Sequence, residues 1–472
     1  MKTPGQQFDA LIGDVAKLHG QQAALAQTLI ERANEQDVAI HNLAAKVARL
    51  EGRIPPPAPN PSPLPSPVPE PTPEPPSTGW LARQPDSNAI ECNKGDDCEK
   101  RLGQAQADRR HISFERSAIF HDRLGTLYRS GTVMGTHGDG PRPVFTSHED
   151  VLYIPPAKTV NDIAISGLHF HALERDPRHE RFRKSSVPYP SSAITWNGSG
   201  QNIVIEDCIS ELYAYGMRFD SPRPRLIDGL TLSRNIIRYC WNTGHGNRAG
   251  IITGWVKDLL IEENVFDHNG HLPAEWGVSG TTPDDQSHAL YLAPLPEESG
   301  PRTGFEATVR GNLFARSGSH GIKGGPGGVL EDNLFVGNAI AGYMSRSDSE
   351  ILGNVVIEAR DISDDHPRGW GIEAFGMGQA TFEGNVYANP AVISDDKRRD
   401  FHSSAGRTVA SGNHVYAETA GSVEMEGTSY HRRRLDHGVD LDRLITDESS
   451  RGHGQWTGDI AAAVRQVQEA AR

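Results

Sequence analysis

ATVRGNLF (307–314), GVLEDNLF (328–335) and SEILGNVV (349–356) share one pattern: a short alternating strand, a turn holding Asn, then a second short apolar strand. Asn312, Asn333 and Asn354 are spaced by 21 residues each, the length of one minimal coil. Working outward, the pattern recurs in IVIEDCI (203–209), LTLSRNII (230–237), LLIEENVF (259–266), ATFEGNVY (380–387) and TVASGNHV (408–415). The equivalent places there read Asp207, Asn235, Asn264, Asn385 and Asn413, and DIAISGLHF (162–170) reads as an earlier copy with Gly167. Longer gaps between some copies are loops inserted into that coil. An Asn facing inward at the same turn of every rung can bond its neighbour about 4.8 Å away, as in stacked sheets. The chain therefore reads as a solenoid of stacked parallel strands.

Composition agrees. Glycine (49) and proline (32) are abundant while hydrophobic residues reach only 36%, too few for one large globular core but suited to many short strands joined by tight turns. A net charge of −14 and the lack of a long Lys/Arg block argue against nucleic acid as partner. Cys92, Cys98, Cys208 and Cys240 contain no CxxC pair for zinc; Cys92 and Cys98 are close enough in sequence to bridge in an oxidising compartment.

A further strand recurs once per rung: SAITWN (192–197), YGMRFD (215–220), AGIITG (249–254), HALYLA (288–293), HGIKGG (320–325), AGYMSR (341–346) and WGIEAF (370–375). Placing Ile194, Met217, Ile251, Leu290, Ile322, Tyr343 and Ile372 inward leaves two outward columns. One is Thr195, Arg218, Ile252, Tyr291, Lys323, Met344 and Glu373; the other is Tyr215, Ala249, His288, His320, Ala341 and Trp370. In-register stacking then makes neighbours of Tyr291 and Lys323, and of His288 and His320. These four are the candidate catalytic residues. Arg218, His245, Arg248, Arg346, Glu373 and Trp370 are the candidate substrate-binding residues, with Arg218 and Arg346 suited to clamp a carboxylate. The insertion between Asn264 and Asn312 adds Asp267, His268, His271, Asp284 and Asp285 as walls of the groove. Asp284 with Asp285, and likewise Asp361, Asp364 and Asp365, could take Ca²⁺, the one cofactor the residues suggest. Trp196, Trp370 and Tyr215 could serve as stacking platforms for sugars.

On these residues the chain resembles the right-handed parallel β-helix superfamily of pectate lyase-like proteins. The segments that carry the likeness are RPVF (142–145), DIAISGLHFHA (162–172), VFDHNG (265–270), QSHALYL (286–292) and HGIKGGPGGVLEDNLFVGN (320–338). The resemblance implies an all-β, right-handed parallel β-helix acting on carbohydrate. Lyases, C5-epimerases, glycoside hydrolases and non-catalytic adhesins share that coil. Lyase chemistry suits the outward cluster best: a cation neutralises a uronate carboxylate, His288, His320 or Lys323 takes the C5 proton, and Tyr291 protonates the leaving oxygen. A hydrolase would need two carboxylates, Glu373 with Asp284, Asp285 or Asp348. The expected partner is an acidic polysaccharide.

The chain divides into a helix (1–54), a linker (55–79), the β-helix (80–425) and an extension (426–472). Leu11, Val15, Leu18, Leu25 and Leu29, then Ile40, Leu43, Val47, Leu50 and Ile54, follow coiled-coil spacing with one phase slip, which points to a homo-oligomer with a trimer favoured. Thirteen prolines within 55–76 make a polyproline II spacer of roughly 70 Å. Ile460, Val464 and Val467 mark a C-terminal helix that caps the coil or lies on its side. No signal-peptide pattern opens the chain and no run is long enough to span a membrane. Stem, spacer and β-helix together resemble a phage tail spike or depolymerase, implying an extracellular or virion-associated place.

Overall fold

The computed structural model describes residues 80–472 except 184–190, 221–224, 244–247, 279–280, 294–305, 346–347, 364, 377 and 393–396. The coiled coil at 8–54, the proline spacer, His245, Arg346 and Asp364 lie outside the described residues.

Every rung is made the same way. A strand such as Ile227–Ser233 leads through the Asn235 turn to a three-residue strand, Ile236–Arg238, and then to Arg248–Gly254 before the next rung begins at Val256. Stacking these pieces gives three parallel sheets, described here as first, third and second in the order the chain visits them, with 12, 12 and 10 strands. The first runs from Ile90–Cys92 to Arg407–Ser411, the third from Ile119–Phe120 to Thr428–His431, and the second from Gly125–Thr126 to Phe401–Ser404. The chain is a parallel β-helix, and right-handed coiling is the sense that parallel crossovers take in about 98% of cases.

The Asn column forms as the repeats require. Asn235, Asn264, Asn312, Asn333, Asn354, Asn385 and Asn413 are all fully buried. From Asn264 onward each Oδ1 accepts from the backbone N–H and the side-chain amide of the Asn one rung before, as Asn312 does from Asn264 at 2.9 and 3.0 Å. Each Nδ2 also donates to a carbonyl of an earlier rung, so a polar turn is buried without orphaned groups. The residue just before the Asn is left-handed in every rung: Arg234, Glu263, Gly311, Asp332, Gly353, Gly384 and Gly412 have φ between 50° and 65°. Asp207 and Gly167 belong to this left-handed column and not to the ladder. Strand pairing of Ile209 with Ile236 puts Cys208 opposite Asn235, and the Cys208 N–H donates to Asn235 Oδ1 at 3.0 Å.

The core is a continuous column of inward side chains. Phe266, Phe314 and Phe335 stack at 4.8 and 4.9 Å, the spacing of the rungs themselves. A helix the periodicity did not announce, α1 (Cys98–Asp108), begins on an Asp97 side-chain cap and buries Cys98, Leu102 and Ala105 over the start of the stack. The Cys92 and Cys98 thiols lie 2.9 Å apart inside this cap, both buried and unbridged.

The C-terminal extension lies along the side of the coil. Strand Thr428–His431 still pairs with Asn413–Tyr416, so the coil extends past 425. Two helices follow, α2 (Leu441–Ser450) and α3 (Asp459–Ala471). They cover the outer face of the third sheet, where Val336, Val355, Ile357 and Val386 are apolar on the outside as well. Deleting residues 459–472 uncovers that face and leaves the Tyr416 hydroxyl without its Ala471 carbonyl partner. The expected loss is roughly 5 kcal/mol, from unburying Ile460, Val464 and Val467. A lowered urea midpoint with new binding of an apolar dye checks it; an unchanged midpoint would show the helix to be dispensable.

Candidate active site on the second sheet

The second sheet builds the cluster that the sequence pattern predicted, with one change of frame. Thr195, Arg218, Ile252, Tyr291 and Lys323 are paired rung to rung, and Leu290 pairs with Ile322 beside them. Beyond Lys323 the partners are Tyr343 and then Glu373 and His402. Tyr343 is therefore outward and half-buried, while Met344 is fully buried inside; likewise Ile340, not Ala341, follows His320 in the other column. The turn explains it. Eight residues separate Asn312 from His320, but only seven separate Asn333 from Ile340, and one residue reverses the alternation.

Lys323 Nζ sits over the Tyr291 ring, 5.4 Å from its centroid. His288 lies beneath, 5.4 Å from the Tyr291 ring and 4.9 Å, edge-on, from His320. His288 was expected to face solvent but is fully buried, and His320 is 9% exposed. Neither ring nitrogen of His288 has a hydrogen-bond partner among the described residues, whereas His320 Nδ1 is 2.9 Å from the Ser319 hydroxyl. Burial drives both imidazoles to the neutral form. His288 is held well below the usual histidine value, with His320 and Lys323 adding to burial, and His320 falls to about 3, with Lys323 and Arg368 adding. Lys323 is itself lowered from the ordinary lysine value by burial, against the opposing charge of Asp285. The half-exposed groups that face outward are thus Tyr291, Lys323 and Tyr343, over a neutral imidazole floor.

The remaining candidates are largely committed to one another. Arg218 bonds Asp220 at 2.8 Å and stands two rungs from Tyr291. Arg248 is buried and pairs with Asp284 at 3.0 Å. Asp285 pairs with Arg368 at 3.4 Å, so the two acids each hold a guanidinium and do not face one another as a calcium cage. Asp361 accepts from the Arg368 backbone N–H. Trp370 lies between Arg368 and Arg399, 4.8 and 4.4 Å from its ring. Glu373, 2% exposed, bonds Arg399 at 2.8 Å; burial raises its carboxyl and Arg399 opposes this. Trp196 is fully buried in the core and offers no stacking face, while Tyr215 is half-buried.

Asp267, His268 and His271 do not wall this groove. Asp267 ends the third-sheet strand Val265–Asp267, where Arg316 holds it through both oxygens and His268 through a third bond. Sequence reasoning passed over Arg368 and Arg399, which lie in loops outside the repeat. It also passed over the His-x-His of LHFHA (168–172), absorbed into a rung pattern; this set, on the third sheet, is the one among the described residues suited to a metal.

No family model matches the chain, and no curated protein matches it. Among solved structures it is similar to the ORF18 protein of Geobacillus virus E2, at 11% identity and a TM-score of 0.34 over 72% of this chain and 62% of that one. It is similar to the GH136 lacto-N-biosidase of Eubacterium ramulus, at 10% and 0.37 over 68% and 63%. It is also similar to the PL6 family alginate lyase AlyGC, at 10% and 0.36 over 74% and 55%. The likeness thus spans less than two thirds of each of those chains. All three are distant, and the fold assignment rests on the strand pairing above. No helix among the described residues is long and apolar enough to cross a membrane.

Proposed function

We propose that the outer face of the second sheet cleaves a uronic-acid-containing polysaccharide by β-elimination, with Lys323 as base and Tyr291 as acid. The observation that carries this reading is the lowered lysine stacked on a phenol in the adjacent rung. Burial lowers the Lys323 amine from the ordinary lysine value, the direction a general base requires. The amine takes the C5 proton, the C5 electron pair forms the C4–C5 double bond, and the C4–O4 bond breaks as Tyr291 gives its proton to O4. Arg368, beside Asp285 and Trp370, replaces Arg218 as the cation that neutralises the uronate carboxylate. His288 and His320, both driven to the neutral form by burial, then serve as an uncharged floor beneath Tyr291 and Lys323, not as bases.

A second reading has its own support. Burial raises the Glu373 carboxyl, the direction a glycosidase acid requires, with Asp285 as the second carboxylate. In either case the protein acts outside the cell or on a virion, with residues 8–54 gathering the chains.

Incubation with alginate, pectate, glycosaminoglycan and bacterial capsule separates the readings. The expected result is ultraviolet absorbance from an unsaturated uronate. Reducing ends without that absorbance would transfer the reaction to Glu373, and binding with neither product would make the coil an adhesin.

A further inference from the structure

On the third sheet, strand His169–His171 buries Phe170 in the core, so alternation sends both imidazoles out on one side. The next rung sets Glu211 in register with His171. One carboxylate oxygen, Glu211 Oε1, lies 2.8 Å from His169 Nε2 and 2.8 Å from His171 Nδ1. The three ligand atoms all fall within 4.8 Å of one another.

The neighbours fix these groups in a way a plain ion pair does not need. Arg238 Nε takes the other oxygen, Glu211 Oε2, at 2.6 Å and leaves Oε1 to the histidines. Asp176 Oδ2 stands 3.4 Å from the far nitrogen of His171, and Arg178 grips Asp176 at 2.9 and 3.0 Å. A carboxylate behind an imidazole is the support that orients a metal-binding histidine and selects its tautomer. The Ser449 carbonyl at the end of α2 in turn holds Arg238 at 2.9 Å.

We infer that His169, His171 and Glu211 bind a divalent transition metal, zinc being the ion that suits two imidazoles and a carboxylate. Bonds of about 2.0–2.2 Å place ligand atoms roughly 3.3 Å apart, which side-chain adjustment reaches from the present spacing. The two histidines are 18% exposed, leaving an entry path and a fourth position for water. The site lies on a different sheet from Lys323 and stands or falls without it.

The test uses the full chain, stripped with a chelator, incubated with Zn²⁺ and desalted. Atomic emission is expected to find about one zinc per chain, with His169→Gln and His171→Gln each binding at least tenfold more weakly. His414→Gln, which breaks a separate histidine pair 3.3 Å apart, is expected to keep its zinc. Circular dichroism verifies that each variant is folded. Should one misfold, Co²⁺ added to the native chain still decides, since bound cobalt gives visible d–d absorption. No zinc retained by the native chain, zinc unchanged in both variants, or no cobalt spectrum would overturn the site.

Discussion

Lys323→Met is expected to abolish production of unsaturated uronate, with turnover falling by about 10²–10⁴ while polymer binding persists. The side chain lies on the outer face of its strand, so the buried neighbours Ile322 and Gly324 are undisturbed and circular dichroism should not change. Native turnover should also depend on pH in one direction. The base acts as neutral amine and its folded value lies below 10.5, so the rate climbs with pH and the midpoint of the rise falls below that value. Initial rates at saturating polymer, taken across pH for both proteins, give the check. A variant within threefold of native turnover would place the base elsewhere.

Asn312→Ala is expected to destabilise the coil by roughly 3–5 kcal/mol. Its Oδ1 accepts two bonds from Asn264, and its Nδ2 donates to Ile261 O, Arg310 O and Asn333 Oδ1 at 2.9–3.0 Å. Alanine leaves the Asn264 backbone N–H and at least one carbonyl buried without partners, each costing about 1–3 kcal/mol, and adds a small cavity. Urea unfolding measures it. A change below 1 kcal/mol would mean that the ladder records the stacking without stabilising it.

The ladder was legible because identical residues at one turn must bond each other, and its spacing sets the register of all that follows. Tyr291 beside Lys323 came directly from that register. The Asp207 rung misled because Asp207 looks like an Asn, yet the equivalent place holds Cys208, whose N–H alone joins the column. Tyr343 was misplaced because a turn shortened by one residue leaves no mark in the repeat itself. Burial of His288 depends on what covers the sheet, and the arginines that claim Asp284, Asp285 and Glu373 come from distant positions. Neither is a property of a single rung.

The tail also alters how the coil carries load. A bare solenoid peels from its ends because each rung holds only its neighbours. Here the chain enters at Trp80, packed on Trp456 at 4.6 Å and His453 at 5.3 Å, and the Leu81 and Ala82 N–H groups bond Glu206. The Gly454 N–H and His453 grip Asp207 of the same rung, while Ala471 is tied to Tyr416 far along the stack. A pull applied at Trp80 therefore enters the coil at the Glu206 rung and is resisted by strand, tail and lead-in together, and Arg142, which bonds the Asp207, Arg451 and Gly452 carbonyls, joins an earlier rung to the same path.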